Sequence, residues 1–132
     1  MDSFDHEKLD VYKLSIEFVG LADSLVRRLP RGRAYLAEQL HRAATSIPFN
    51  IAEGAGEFSR REKARFYRIA RRSATESAAM LDVFRRLKLA DGGTLSEGRE
   101  HLLRIVSMLT KMVRGFEKEP DAGTGRSTGT NE

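Results

Sequence analysis

The chain has 132 residues, 40% of them hydrophobic and 32% charged, with a net charge of +4. This length favours one compact domain, and the composition is typical of a small soluble helical protein. Cysteine is absent, which excludes disulfides, thiol nucleophiles and thiolate metal ligands and suits the cytoplasmic location that we expect. The N-terminus is too acidic and polar for a signal peptide, and the longest uncharged interval, residues 43–52, is too short to span a membrane.

The first predicted helix covers residues 9 to about 29 and ends at Pro30, because proline disfavours helical geometry in the residue before it. Its core stripe, with apolar residues at spacings of three and four, consists of Val11, Leu14, Phe18, Leu21 and Leu25. A second apolar stripe consists of Tyr12, Ile16, Val19 and Val26. Because one stripe suffices for a bundle core, we expect the second to contact another subunit.

The second predicted helix covers about residues 34–53. Its core stripe consists of Leu36, Leu40, Ala43, Ile47 and either Asn50 or Ile51. Pro48 lies inside this pattern and removes one backbone donor, so we expect a kink near residues 44–46 or a break into two shorter helices. Gly54 and Gly56 are expected to supply the left-handed geometry of the helix end.

A capping box marks the start of the third predicted helix, which runs to about Leu89. The Ser59 hydroxyl can accept from the amide of Glu62, and the carboxylate of Glu62 can reach back to the amide of Ser59. The predicted core stripe of this helix consists of Phe66, Ile69, Ser73, Glu76, Met80, Val83 and Leu87. With 31 residues, 59–89, it is the longest of the predicted helices.

A second capping box, at residues 94–97, predicts the start of a fourth helix that ends near Lys118. Residues 119–132 lack apolar periodicity, and we expect a disordered tail there. Four helices with short connections favour an up-and-down arrangement. The sequence therefore predicts an all-α fold, with a single antiparallel four-helix bundle in residues 1–118 that assembles as a homo-oligomer.

Positive charge is concentrated in the third predicted helix, since residues 59–88 carry ten Lys/Arg and three Asp/Glu. One face of that helix carries Arg61, Arg65, Arg68 and Arg72. Like charges at this spacing destabilise a helix, so the excess indicates a function beyond folding. Arginine suits phosphate because its planar fork donates two hydrogen bonds.

We therefore predict salt-sensitive contact with the backbone of RNA or DNA, without sequence reading. The predicted contact residues are Arg60, Arg61, Lys63, Arg65, Arg68, Arg71, Arg72, Arg85, Arg86 and Lys88. Two alternatives stay open. The same arginines suit an ordinary solvated helix face, and they also suit salt bridges to the carboxylates of a neighbouring subunit in a structural scaffold.

A second candidate site consists of polar residues in or near the predicted core stripes. These residues are Arg42, Asn50, Glu53 and Glu76. A buried carboxylate must be paired or protonated, and its expected partner is either Arg42 or the backbone freed around Pro48. We favour a buried polar network that fixes the kink and the helix register over the alternative, a small acid/base site.

Residue patterns for catalysis or cofactor binding are missing from the sequence. Glu38 and His41 form one Glu-x-x-His motif, whereas a di-iron bundle needs two such motifs and two further glutamates. The sequence has neither a phosphate-binding glycine loop nor a serine, histidine and acid arrangement that can be singled out. We therefore predict no metal, no cofactor and no enzymatic activity.

Residues 39–54, QLHRAATSIPFNIAEG, resemble the signature of a four-helix-bundle family first noted as reading frames within intervening sequences of bacterial 23S ribosomal RNA. Further stretches that are similar to blocks of this family are LDVYKL at 9–14, SRRE at 59–62, FYRIA at 66–70 and SATE at 73–76. The resemblance covers about residues 8–118. It implies a four-helix bundle that assembles as a ring-like homopentamer.

One branch of the family is the accessory variability determinant of diversity-generating retroelements, a basic protein that binds nucleic acid and a reverse transcriptase. For a member of this branch the resemblance implies RNA or DNA and a reverse transcriptase as partners, whereas for most members of the family no function is established. The sequence leaves the branch open, and the short uncharged interval predicts no membrane partner. The positions that correspond by charge to the positive surface of that branch are Arg61, Arg65, Arg68 and Arg72.

Overall fold

The computed structural model describes residues 3–118, and within that range every regular element is helical. The elements are a 3-10 helix at Asp5–Lys8, α1 at Asp10–Arg27, α2 at Ala34–Gly56, α3 at Arg60–Arg86 and α4 at Gly92–Glu117. The all-α class and the number of long helices agree with the sequence prediction. The predicted disordered tail, residues 119–132, lies outside the described residues.

Each long helix packs against two others, in the cyclic order α1, α2, α3, α4, and the 3-10 helix covers α1 and α2. The side chains at the centre of this arrangement are fully buried, among them Phe18, Leu40, Ile47, Phe84, Ile105 and Leu109. Burial of each side chain of this size stabilises the fold by about 1.5–3 kcal/mol. One common core therefore holds the four helices together.

The second apolar stripe of α1 is largely used inside the chain. Tyr12, Val19 and Val26 are half-buried and pack against the core. The ring of Tyr12 also meets the edge of the His6 ring at a centroid distance of 4.6 Å. Only Ile16 of the four residues is exposed, with 45% of its surface accessible. The predicted contact of this stripe with another subunit stays a prediction.

α2 continues without interruption through Pro48, which is buried, so the alternative of a break into two helices is wrong, and the expected kink stays a prediction. The core side of this helix takes Ile51 rather than Asn50, which is half-buried. α2 also ends three residues later than predicted, at Gly56. Neither Gly54 nor Gly56 has a positive φ, so the predicted left-handed helix end is wrong.

Gly54 instead allows α2 and α3 to approach each other closely. A Cβ at this position would lie 2.7 Å from Cε1 of Tyr67 and 3.2 Å from Cβ of Phe66. The Tyr67 ring is buried and packs against Phe116 at a centroid distance of 5.8 Å. Burial also raises the pKa of the Tyr67 hydroxyl. The missing side chain thus makes room for an aromatic ring that joins three helices.

Of the core stripe that the sequence predicts for α3, only Ser73 and Met80 are buried. Phe66 and Ile69 are only half-buried, and Glu76, Val83 and Leu87 are exposed. The buried residues of α3 are Ala64, Tyr67, Ala70, Ser73, Ala74, Ser77, Met80, Leu81 and Phe84. Small side chains let the neighbouring helices approach this face, and the larger apolar side chains lie at its margins.

The structure confirms part of the predicted N-terminal capping of α3 and corrects that of α4. Ser59 Oγ accepts from the amide of Glu62 at 3.1 Å, which confirms the cap of α3. The carboxylate of Glu62 accepts from Arg65 instead of reaching back. The predicted capping box at residues 94–97 is wrong, because α4 starts at Gly92 and is capped by Asp91.

Asp91 holds the first turn of α4 through two hydrogen bonds. Its Oδ2 accepts from the amide of Thr94 at 3.0 Å, and its Oδ1 accepts from the Thr94 hydroxyl at 2.6 Å. These bonds, first of all the one from the hydroxyl, hold the pKa of the Asp91 carboxyl below its ordinary value. The ionised carboxylate therefore stabilises the start of the helix.

We expect Gly54→Ala to lower the free energy of unfolding by about 1–3 kcal/mol, because the new Cβ overlaps the buried Tyr67 ring. This cost outweighs the gain of about 1 kcal/mol in helix propensity. Gly20→Ala is the matched control, since nothing lies within 4 Å of a Cβ there, and it should stabilise α1 by about 0.5–1 kcal/mol. Urea unfolding measures both, and equal effects would contradict the close-approach role of Gly54.

Asp91→Asn should reduce stability at neutral pH, because the amide keeps a capping oxygen but loses the charge. Since the folded pKa of Asp91 lies below its ordinary value of 3.8, the contribution of the carboxylate is present above that pH. It is lost as the pH falls through the folded value. Urea midpoints of both proteins should therefore differ at neutral pH and converge once the pH has fallen below the folded pKa. A difference that grows in acid would contradict this assignment.

Candidate nucleic-acid interface

The outward face of the first half of α3 presents three exposed arginines: Arg61, Arg65 and Arg72. Arg65 donates to the Glu62 carboxylate at 3.0 Å and lies over the Phe66 ring at 4.4 Å. Neither Arg61 nor Arg72 forms an ion pair within residues 3–118. Two guanidinium groups on this face are therefore free to meet an anion.

A groove of about 350 Å³, here called the basic groove, lies beside that face. It is lined by Arg60, Arg61, Ala64, Arg68, Phe116, Glu117 and Lys118. The guanidinium of Arg60 lies 5.3 Å from the centre of the Phe116 ring and donates to the carbonyl of Gly115. Arg68 forms an ion pair with Glu117. These contacts orient two arginines along the wall of the groove, and an incoming phosphate would compete with Glu117 for Arg68.

Lys63 and Arg71 differ from the other predicted contact residues because each is bound inside the fold. Lys63 Nζ donates to the carbonyls of Gly54 at 3.1 Å and Ala55 at 3.0 Å, in the last turn of α2. Arg71 is half-buried and donates to the Thr110 hydroxyl at 3.5 Å. Both side chains therefore connect helices, and neither extends freely from the surface.

Arg85, Arg86 and Lys88 are exposed at the other end of α3. They are separated from Arg72 by about 13 residues, or roughly 20 Å of helix. Glu76 and Asp82 are exposed between the two groups. The predicted positive surface of α3 therefore consists of two patches, of which the one beside the basic groove is larger.

The predicted polar network has different members in the structure. Glu76 is exposed, so its predicted burial in the core stripe is wrong, and Arg42 and Glu53 are exposed as well. Asn50 is half-buried and donates to the carbonyl of Ser46 at 2.8 Å and to its hydroxyl at 3.0 Å. The Ser73 hydroxyl donates to the Ser46 hydroxyl at 2.8 Å. Serines join α2 to α3 here because the helices are close enough for short side chains to meet.

Two further grooves border α2. The first, here called the polar groove, has about 290 Å³ and is lined by Tyr35, Glu38, Gln39, Arg42, Ala43, Ser46, Ser73 and Glu76. The second, here called the acidic groove, has about 310 Å³ and is lined by Phe4, Asp5, His6, Ala52, Glu53, Gly56 and Glu57. Of the predicted polar network, Arg42 and Glu76 thus share one groove, whereas Glu53 lies in the other. Ser46, the residue that sequence reasoning missed, stands one helical turn before Asn50.

Histidines and acids pair locally. His41, in the Glu-x-x-His motif, approaches Asp23 at 3.3 Å. Hydrogen bonds from Arg27 and then from His41 lower the pKa of Asp23. Within residues 3–118, no group of three or more histidine, aspartate or glutamate side chains could hold a metal ion.

None of the helices in residues 3–118 is both long enough and apolar enough to span a membrane.

Fold and surface together define an all-helical protein of four long helices with a cationic surface on α3. The family model of the 23S rRNA-intervening sequence protein matches residues 7–111. The chain therefore belongs to the 23S rRNA-intervening sequence protein family, which confirms the resemblance seen in the sequence.

A solved structure gives independent support for the fold. It is the crystal structure of a protein with unknown function from the S23 ribosomal protein family of Bacteroides thetaiotaomicron, with a TM-score of 0.73 and 23% sequence identity. The match covers 79% of this chain and 98% of that chain. No curated protein matches this chain.

Lys63→Met should lower the free energy of unfolding by about 1–2 kcal/mol, because two carbonyls at the end of α2 lose a charged donor. Arg61→Met is the matched control on the same helix turn, and its effect should stay within about 0.5 kcal/mol. Thermal or urea unfolding checks both values. An unchanged stability in Lys63→Met would show that the lysine is available for other partners.

Proposed function

We propose that this protein is a non-enzymatic, oligomeric factor that binds nucleic acid through the basic face of α3 and the basic groove beside it. The observation that carries this proposal is the pair of exposed guanidinium groups, Arg61 and Arg72, without ion-pair partners in the described chain. Arg60 and Arg68 extend the cationic area along the groove. Lys63 and Arg71, bound within the fold, are structural in this proposal.

Binding would act mainly through phosphates. A guanidinium can donate two parallel hydrogen bonds to one phosphate, and each neutralised phosphate releases counterions. Phe116, which already lies beneath Arg60 in the groove, offers an aromatic surface next to those cations. The expected binding is therefore strong at low salt, weak at high salt and tolerant of sequence.

Contacts between neighbouring helices support the antiparallel up-and-down bundle that we also propose. The first half of α3 pairs with the last turn of α4, as in Arg68 with Glu117. Lys63, in the first turn of α3, donates to the carbonyls of Gly54 and Ala55, in the last turn of α2. For the assembly we propose a ring-like homopentamer, which the family membership supports, and for the cellular role an accessory factor to a reverse transcriptase or RNA complex in a bacterial cytoplasm.

A scaffold without nucleic acid is the second candidate, and the acidic groove favours it. This groove contains Asp5, Glu53 and Glu57 at the 3-10 helix and the end of α2, whereas the basic groove lies between α3 and α4. Surfaces of opposite charge on different sides of one chain suit a head-to-tail contact between copies. In that case the arginines would pair with carboxylates of the next subunit.

Anisotropy titrations with a labelled single-stranded RNA and its DNA counterpart, from 50 to 200 mM KCl, test the first candidate. Arg61→Gln/Arg65→Gln/Arg72→Gln should lower the slope of log affinity against log salt by about 2, at roughly 0.7 per lost phosphate contact. The control changes three exposed arginines elsewhere, Arg28, Arg31 and Arg99, and should leave the slope almost unchanged.

Absence of binding at 50 mM KCl would contradict the nucleic-acid proposal. Light scattering of Glu53→Lys/Glu57→Lys then tests the scaffold, because reversal of these charges should break the assembly. A mass that stays unchanged would rule out the head-to-tail contact, and a monomeric wild type would contradict both candidates.

A further inference from the structure

We propose that the polar groove between α2 and α3 binds one unpaired nucleobase, guanine, so that the protein selects single-stranded nucleic acid beside its phosphate-binding face. This inference rests on the proposed nucleic-acid function and adds a base-reading site to it. The groove is separate from the basic groove, since the two share no lining residue.

An unsatisfied hydroxyl hydrogen lies at the floor of the polar groove. Ser46 Oγ accepts from Ser73 Oγ at 2.8 Å and from the Asn50 amide at 3.0 Å. Each serine hydroxyl carries one hydrogen, and the bond between them uses only one of the two. The other hydrogen, that of Ser46, has no acceptor among the described residues, and Ser46 is half-buried in the lining of the groove. A ligand oxygen would complete this network.

Both walls of the groove carry groups that can read a base edge. Gln39 and Arg42 supply donors from α2, while Glu38 and Glu76 supply carboxylate acceptors. Arg42 forms no ion pair within residues 3–118, although Glu38 stands one turn before it. Donors and acceptors are therefore both available to a neutral ligand that has hydrogen-bonding groups of both kinds.

The position of Glu76 indicates which part of a nucleic acid enters the groove. Glu76 follows Arg72, on the phosphate-binding face, by one helical turn. A carboxylate repels phosphate and accepts hydrogen bonds, so the part of a nucleic acid that suits Glu76 is one that donates them. Guanine presents two adjacent N–H donors, which suit a carboxylate, next to an oxygen that suits the Ser46 hydroxyl and Arg42.

Tyr35 supplies an aromatic surface at one end of the same groove. Its ring is 51% exposed, and its hydroxyl accepts from Arg33 Nη1 at 3.0 Å, which restrains the side chain. Unpaired bases commonly stack on aromatic rings of this kind, whereas bases in a duplex cannot reach them. The groove therefore suits an unpaired base.

The test compares labelled uridine 12-mers with and without one central guanosine, and with adenosine in its place. Wild type should bind the guanosine oligomer about tenfold or more tightly, as expected for one well-placed base contact. Glu76→Gln and Ser46→Ala should remove this preference and leave the salt slope unchanged. Asp82→Asn is the matched control, since Asp82 is an exposed carboxylate of α3 outside the groove, and it should keep the preference.

Equal affinity of wild type for the three oligomers would overturn this inference and leave the phosphate-binding proposal standing. A preference that survives in both groove variants would also overturn it, since the base would then be read elsewhere. If no oligomer binds, the proposed function itself fails, and titration with guanosine, which has no phosphate, decides the inference. NMR shifts of the Gln39 side-chain amide on titration would then support the groove, and their absence would overturn it.

Discussion

The close approach of α2 and α3 is the constraint on which the rest of this structure depends. It requires a missing side chain at Gly54, where the Tyr67 ring takes the space, and small residues such as Ala70 and Ser73 on α3. The same proximity allows Ser46 to bond to Ser73 and Lys63 to reach the carbonyls at the end of α2. The close approach of α2 and α3 thus determines both the packing of the core and the position of the polar groove.

The cations of α3 divide by what surrounds them, although they belong to one helix. Arginines on the outward row face solvent, whereas Lys63 and Arg71 satisfy acceptors on neighbouring helices. Arg68 lies between these classes, since it is half-buried and paired with Glu117. A count of positive residues in the sequence therefore overstates the number of groups available to a polyanion. Only the packing of the helices distinguishes solvent-facing cations from those bound to acceptors within the fold.

Helix number, the approximate helix bounds and the Ser59 cap could be predicted from the sequence because they depend on local spacing. The core face of α3 could not, because its alanines and serines have little hydropathy and Phe66 and Ile69 beside them have more. Asp91 was missed as a cap since the glycines after it look like helix breakers. The arginine row was predictable from periodicity, whereas the partners of Arg60 and Arg68 come from α4 and required the fold.

The charges of the acidic and basic grooves affect how the protein rotates as it approaches a charged partner, before the two are in contact. Glu53 and Glu57 lie where α2 ends, near the 3-10 helix, and Arg60 and Arg61 begin α3 a few residues later on the side of α4. Opposite charges are thus separated across this end of the described chain, which contributes a local electric dipole. In the field of a polyanion such a dipole experiences a torque that turns the arginines forward. If the protein binds nucleic acid as proposed, it would arrive already oriented, and added salt would weaken that alignment as well as the proposed binding.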